Sequence, residues 1–325
     1  MRAVRDGEFF QSRIFSLRLL MTVVAIVTVV LTANAFAEIA KQKSFASPEE
    51  AVAAAIAAAK SDDDKQLLEI LGEDAKDVIS SGDAVVDKTE RRKFLEAYDE
   101  KHQLVKEDDK VILEIGKQDW PYPIPVVKKG DEWVFDTTQG REELLDRRIG
   151  ENELSTIQVM LAIVDAQREY VLKDRNRSGL LEYAQKFISD PGKKNGLYWK
   201  TQAGEDPSPL GPLVAQARSV GYQRQSSNTP SPYFGYCYKI LTAQGKDAPG
   251  GAYSYLAEGK MIGGFAVVAY PAEYGNSGIM TFIVNHDGKV FQKNLGTDTT
   301  TIAENMKEYN PDSTWTEVQE QGARP

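Results

Sequence analysis

The residues with the clearest potential to bind a ligand lie in one polar segment near the middle of the chain. Asp174, Asn176 and Ser178 alternate along it, Gly179 follows, and Glu182 comes three residues later. Alternate short side chains that carry oxygen can turn towards one hard cation, a glycine allows the sharp turn, and a later carboxylate completes the coordination shell. The segment therefore partly matches a calcium-binding loop, with Asp174, Asn176, Ser178 and Glu182 as the metal ligands.

Two features of this segment depart from the calcium-loop pattern. Its twelfth position is Gln185, where a bidentate glutamate is expected, and Arg175 and Arg177 add positive charge. These departures favour a polar connection between two helices, and a calcium ion is the alternative. With so few carboxylates, a bound calcium ion would be held with low affinity.

A second group of titratable residues lies near the end of a predicted helix over residues 88–102. Asp99 and Glu100 stand close to His102, and Asp99 with His102 is the candidate catalytic acid and base pair. The pattern favours a solvated helix end instead, in which Lys101 and His102 interact with the helix dipole.

Other catalytic signatures are missing from the sequence. It contains no nucleophile-elbow serine, P-loop, dinucleotide-binding glycine pattern or zinc-protease helix motif. The only histidines are His102 and His286, so neither a hydrolytic triad nor a histidine-based metal site is expected. The only cysteine, Cys237, lies in an apolar strand pattern, which favours a buried small hydrophobe. The sequence thus favours a protein that is not an enzyme, although carboxylate chemistry stays open.

Helices followed by strands are predicted for the first half of the chain. Capping and periodicity place helices after Ser47-Pro48, before Gly72 and over residues 88–102. Strand patterns follow at residues 110–115, 124–128 and 132–136. The order resembles the cone-shaped fold of the nuclear transport factor 2 and ketosteroid isomerase superfamily, whose cones can hold a pocket, but no motif of that superfamily is matched.

The second half is predicted to be a long helix on an antiparallel sheet. Apolar spacing indicates one long or once-broken helix from residue 141 to about 174, with Gly150 as the hinge. Residues 156–171 resemble the stem helix that pilin and pseudopilin globular domains pack across a small sheet. The strands are predicted at residues 233–241, 264–270, 279–284 and 289–293, with Asp287-Gly288 as a hairpin turn. The predicted fold class is therefore α+β, with domains at residues 38–140 and 141–325.

The first residues have the composition of an export signal. Four arginines precede the apolar stretch 19–31, and Ala35-Phe36-Ala37 fits a cleavage site. An uncleaved membrane anchor is the alternative, because residues 19–37 approach the roughly 20 residues that a spanning helix needs. Removing residues 1–37 changes the net charge from −9 to −11, a surface that repels nucleic acid and anionic lipid.

Several segments resemble one family of exported bacterial proteins, the one named domain of unknown function 2950. The segments are FASPEEA at 45–51, ISSGD at 79–83, KILTAQG at 239–245, APGGA at 248–252, GGFA at 263–266, Tyr274-Gly275, and MTFIVNHDG at 280–288. The resemblance spans nearly the whole chain after residue 37. It implies a secreted or periplasmic protein of Gram-negative bacteria, and it brings no activity.

These observations predict an exported periplasmic or envelope protein that is a non-enzymatic binding or scaffold module. The expected partner is an envelope protein or polymer and not nucleic acid, and membrane contact is expected only through a retained signal segment. The alternative is a small-molecule-binding protein or carboxylate-based enzyme that uses a pocket in the N-terminal domain. A filled N-terminal domain would favour the first hypothesis, and a deep polar pocket there would favour the second.

Overall fold

The computed structural model describes residues 42–202, 204–222 and 232–319. The predicted signal segment at residues 1–37 lies outside these ranges. Within them, no helix combines the length and apolar character needed to cross a membrane.

Seven α-helices occur in the described part of the chain, with a 3₁₀ turn at Glu73–Ala75 between the second and third. The helices are α1 (Pro48–Lys60), α2 (Asp64–Leu71), α3 (Lys76–Ile79), α4 (Ala84–Glu100), α5 (Thr137–Val171), α6 (Gly211–Ser219) and α7 (Thr299–Asn305).

The strands of the described residues fall into two five-stranded sheets and two small ones. The first sheet contains β1 (His102–Glu107), β2 (Lys110–Ile115), β3 (Trp120–Pro121), β4 (Val126–Lys129) and β5 (Glu132–Phe135). The second contains β6 (Tyr236–Leu241), β11 (Ala266–Pro271), β12 (Met280–Asn285), β13 (Val290–Asn294) and β15 (Thr316–Glu317). The small sheets contain β7 (Ala243–Gln244), β8 (Tyr253–Ser254) and β14 (Glu308–Tyr309), and β9 (Leu256–Ala257) with β10 (Lys260–Met261).

Helix α1 begins where its capping residues predict. The Ser47 hydroxyl accepts a hydrogen bond from the backbone N–H of Glu50 at 3.2 Å, and Pro48 occupies the first turn. The buried side of α1 consists of small and branched apolar residues, among them Val52 and Ile56. With α2 it packs against the first sheet, and the resulting apolar cluster includes Ile70, Leu113, Ile124, Val126 and Phe135. Apolar side chains therefore fill the space between these helices and the sheet.

The prediction that His102 ends the third helix was wrong. Helix α4 ends at Glu100, and His102 is the first residue of β1, where it pairs with Ile115 of β2. Strand β1 has no alternating pattern of apolar residues, since its two apolar side chains, Leu104 and Val105, are adjacent. Pairing with β2, rather than any periodicity of its own, defines this strand.

Helix α5 runs unbroken for 35 residues and passes through Gly150 without a hinge. A Cβ added at Gly140 would lie 2.3 Å from the carbonyl group of Pro123, so the helix backbone lies directly against the connection that precedes β4. At Gly150 nothing lies within 4 Å of the corresponding position. Packing therefore requires a glycine at position 140, whereas position 150 has space for a side chain.

The C-terminal half of α5 packs against the second sheet. The strand order of this sheet is β15-β13-β12-β11-β6 and all neighbours are antiparallel, with Asp287-Gly288 in the turn between β12 and β13. All six residues of β11 are buried, which means that both faces of this strand are covered. The covering elements include α5 and α7, and their contacts with the sheet form the larger apolar cluster of the molecule.

The α+β prediction is confirmed, including the long helix and the antiparallel C-terminal sheet. Two apolar clusters correspond to the two halves of the chain, and the chain from Gln42 onwards forms one compact unit. The predicted domain division at residues 140 and 141 stays a prediction, as do the cone-like and pilin-like labels.

The two glycines of α5 give a matched pair of variants for the packing of the helix. We expect Gly140→Ala to lower the free energy of unfolding by about 2 kcal/mol or more, because the new methyl group overlaps backbone atoms. Gly150→Ala is expected to raise it by about 0.5–1 kcal/mol, because alanine is the better helix former where space is open. Denaturant unfolding of both variants measures these free energies. Equal changes in the two variants would contradict the close contact between α5 and the Pro123 carbonyl.

Candidate functional site

Three polar side chains of α5 hold the loop between β11 and β12. Arg148 donates a hydrogen bond to Asn276 Oδ1 at 2.6 Å, and the Asn152 amide donates to the carbonyl of Ser277 at 2.9 Å. The Glu153 carboxylate accepts from the backbone N–H groups of residues 279 and 280, at 3.0 and 2.9 Å. Positions 148 and 152 lie about one helical turn apart on the same side of α5, and Glu153 is adjacent in sequence to Asn152, so all three side chains reach the same loop.

Arg148 also holds the end of α3. Its guanidinium donates to the carbonyls of Asp77 and Val78, each at 2.5 Å, and the Asn276 amide donates to the carbonyl of Ser80 at 2.8 Å. Burial lowers the pKa of Arg148, and the nearby carboxylates of Asp87 and Asp77 oppose that shift. Since the ordinary pKa of a guanidinium is so high, the Arg148 side chain remains charged. It therefore connects α5 with α3 and with the β11–β12 loop.

A groove of about 560 Å³ lies at this junction. We call it the junction groove; it lies between the 3₁₀ turn with α3, the first turns of α5 and the β11–β12 loop. Every lining residue carries a polar group, and the carbon stems of these side chains also form part of the walls. The lining residues are Glu73, Asp74, Lys76, Asp77, Ser80, Thr138, Arg141, Glu142, Glu273, Tyr274 and Asn276.

Hydrogen bonds between the walls fix several of these side chains. Arg141 forms a two-point ion pair with Asp77, in which Nε lies 2.9 Å from Oδ1, and this hydrogen bonding raises the pKa of the guanidinium. The Thr138 hydroxyl donates to Asp74 at 3.3 Å, and the Asn276 amide donates to Glu273 at 2.9 Å. The groove is therefore largely preformed, with carboxylates held at its walls.

The candidate acid and base near the end of α4 lie outside this groove and are exposed. Asp99 pairs with Lys60 at 2.8 Å, and Glu100 pairs with Lys117 at 2.5 Å. The ring of His102 stacks on Tyr98 with centroids 3.8 Å apart. Each group thus has its own partner on the surface, the arrangement expected of a solvated helix end, and their catalytic role stays a prediction.

The calcium-like loop is closed by hydrogen bonds of its own. The Asp174 carboxylate accepts from the backbone N–H groups of Ser178 at 2.9 Å and Gly179 at 2.8 Å, which lowers the pKa of Asp174. Glu182 is buried, and its Oε1 accepts from the Asn176 amide at 3.1 Å and the Ser178 hydroxyl at 3.2 Å. The four predicted ligands are therefore brought together, but they contact one another.

A lysine supplies positive charge at the same place. Lys260 Nζ lies 3.6 Å from Glu182 Oε1, and its charge also lowers the pKa of Asp174. A calcium ion at Glu182 would have to displace this ammonium group, and Asn176 would have to turn its amide oxygen inwards. Across the described ranges, no group of three or more His, Cys, Asp or Glu side chains is arranged to hold a metal ion.

The thiol of the only cysteine, Cys237, is not an exposed nucleophile. Cys237 is buried in β6, and desolvation raises the pKa of its thiol to about 11. A protonated, buried thiol of this kind is expected to be unreactive at neutral pH.

The junction groove was not predicted from the sequence. Its residues come from three separate segments, 73–80, 138–142 and 273–276, and none of them matches a known binding or catalytic motif. The only local signal is a set of polar residues, Asn152 and Glu153 among them, in the middle of a helix that is otherwise apolar on one side.

Comparison with known families gives a classification that agrees with the sequence resemblance. A family model described as protein of unknown function (DUF2950) matches residues 42–318. The chain belongs to this family. No curated protein and no solved structure matches the chain significantly.

The bridging role of Arg148 can be tested against a surface arginine. We expect Arg148→Met to lower the free energy of unfolding by about 2–3 kcal/mol, because it leaves two partly buried carbonyls and the Asn276 amide oxygen without this donor. Arg92→Met, which removes an exposed arginine paired with Glu96, is expected to change it by no more than about 0.5 kcal/mol. Chemical denaturation of both variants measures the difference, and a small effect of Arg148→Met would show that the junction does not depend on it.

The calcium-like loop gives a second test. We expect Lys260→Met to bind calcium at least roughly tenfold more tightly than the wild-type protein, because it removes a positive charge about 4 Å from the carboxylate. Lys260→Arg keeps the charge and is expected to behave as the wild type, and Asp174→Ala with Glu182→Ala is expected to abolish binding at this loop. Calorimetric titration with calcium measures the affinity of each variant. Equal affinities of the wild type and Lys260→Met would contradict the idea that Lys260 competes with calcium for Glu182.

Proposed function

We propose that this protein is an exported, non-enzymatic binding module whose ligand occupies the junction groove. The observation that supports it is the groove itself, whose walls are joined by hydrogen bonds between three parts of the chain. Its volume of about 560 Å³ is within the range of roughly 300–1,000 Å³ that is typical of ligand sites. A binding module needs such a preformed concave surface, because ordering flexible groups on binding costs affinity.

The distribution of apolar residues favours a ligand site in the junction groove rather than in a pocket inside the N-terminal half. The interior of that half is filled by the cluster around Ile70, Leu113 and Phe135. The groove offers ionised and amide groups, so its ligand is polar and its recognition rests on hydrogen bonds and charge.

The absence of a catalytic role is part of the same proposal. Asp99 and His102, the candidate acid and base, are exposed and lie away from the groove. General acid and base groups act only within hydrogen-bond reach of a bound substrate, and an exposed helix end provides no enclosure for one.

Export is proposed from the sequence. Four arginines, an apolar stretch and a small-residue cleavage site stand at the start of the chain, and the remaining protein has a net charge of −11. We propose that the mature protein acts in the periplasm or outside the cell, with an envelope protein or polymer as the source of its ligand.

The proposal is tested by blocking the groove. Ser80 is an exposed groove residue, so Ser80→Trp is expected to fill the groove and keep the backbone carbonyl that Asn276 contacts. Binding of sugars, amino acids, short peptides and polyamines is measured by calorimetry and by ligand-induced shifts in melting temperature. At least one class is expected to bind the wild-type protein and to lose about tenfold or more in affinity in Ser80→Trp.

Thr300→Trp is the matched control for this experiment. Thr300 is exposed on α7, outside the groove lining, and its replacement is expected to leave binding unchanged. If no class binds, or if every class binds Ser80→Trp as tightly as the wild type, the groove is not a ligand site.

A further inference from the structure

The charges of the junction groove are unbalanced. Its lining contains five carboxylates, from Glu73, Asp74, Asp77, Glu142 and Glu273, and two cationic groups, from Lys76 and Arg141. Arg141 is neutralised by its ion pair with Asp77. Among the lining residues, four carboxylates therefore remain against one ammonium group, and the Arg148 guanidinium, whose charge acts on Asp77 and Glu273, is not part of the lining.

A second groove in the described part of the chain does not share this excess. This groove of about 410 Å³, beside α7 and β14, contains one lysine and one glutamate, Lys307 and Glu308. The acidic excess therefore distinguishes the junction groove from this second groove.

The spacing of the carboxylates indicates which kind of cation they suit. In the described part of the chain, no group of three or more His, Cys, Asp or Glu side chains is arranged to hold a metal ion. The carboxylates lie instead on different walls, on the 3₁₀ turn, on α5 and on the β11–β12 loop. Charges spread over a groove of this size complement an elongated cation with several charged groups better than a point charge.

Local contacts leave these carboxylates able to accept hydrogen bonds. Asp74 accepts one from Thr138, and Glu273 accepts one from Asn276, so each keeps lone pairs for a ligand. An ionised carboxylate can accept about four hydrogen bonds in all, and bonds to an ammonium group are charge-assisted and short.

We propose that the junction groove binds a ligand that carries two or more primary ammonium groups along an extended chain. The carboxylates of Glu73, Glu142 and Glu273 bind the ammonium groups, and Asp74 contributes a further acceptor. A linear polyamine and a lysine-rich peptide segment both present this chemistry. The inference rests on the proposed function, because it assigns the ligand class of the same groove.

The test compares two variants with the same change in net charge. The groove variant is Glu73→Gln with Glu142→Gln and Glu273→Gln. The control variant is Glu96→Gln with Glu151→Gln and Glu258→Gln, three exposed glutamates outside the groove lining. Each is titrated calorimetrically with spermidine and, separately, with trilysine amide, and the acetylated form of each compound is the neutral control.

We expect the wild-type protein to bind at least one of the two amines at one site and to bind neither acetylated form. The groove variant is expected to lose tenfold or more in affinity, and the control variant less than twofold. Affinity is also expected to fall as sodium chloride is raised, because the contacts are ionic and partly exposed. Spermidine binding without trilysine binding would identify a polyamine, and the reverse would identify a peptide.

Other outcomes separate this inference from the proposed function. Equal losses in both variants would show that only the overall charge attracts the amine, which would overturn the inference. Binding of a sugar or an acidic solute that Ser80→Trp blocks, with no amine binding, would also overturn it and would leave the groove as a ligand site. Failure of every solute to respond to Ser80→Trp would overturn both.

Discussion

The packing of the two halves of this chain rests on the polar contacts that three side chains of α5 make with the β11–β12 loop. Arg148, Asn152 and Glu153 satisfy backbone and side-chain groups of that loop, and Arg148 also satisfies carbonyls at the end of α3. Buried polar groups are costly unless they are paired, so these contacts specify one relative position of the helix and the loop. A purely apolar contact at the same place would allow small shifts, whereas hydrogen bonds with defined donors do not.

This constraint explains how two apolar clusters can belong to one compact unit. The N-terminal cluster lies between α1, α2 and the first sheet, and the C-terminal cluster lies between α5 and the second sheet. Asp83 adds a second connection, because its buried carboxylate caps α4 and also accepts hydrogen bonds from the Tyr222 hydroxyl at 2.7 Å and the Gly235 N–H at 3.0 Å. The groove is a consequence of this arrangement, since its walls come from both halves and its carboxylates are held where those halves meet.

The loop from Asp174 to Glu182 shows how the same spacing of side chains can serve different chemistry. Its spacing does bring the four side chains together, as a calcium loop requires. Lys260 comes from a distant strand and places its ammonium group beside Glu182. Whether a carboxylate meets a metal ion or a lysine depends on this long-range contact, which no local pattern contains.

The sequence by itself determined the α+β class, the capped start of α1, the long central helix and the hairpin at Asp287-Gly288. Each of these follows from local capping, periodicity or turn chemistry, which act between residues close together in the chain. The tertiary structure alone decided that His102 begins β1, that Gly140 must lack a side chain and that Gly150 need not. It also decided the junction groove, because residues 73–80, 138–142 and 273–276 become neighbours only when both halves pack on α5. Charge and shape at such a site depend on contacts between distant segments, and these are fixed by packing and hydrogen bonding in the folded chain rather than by sequence spacing.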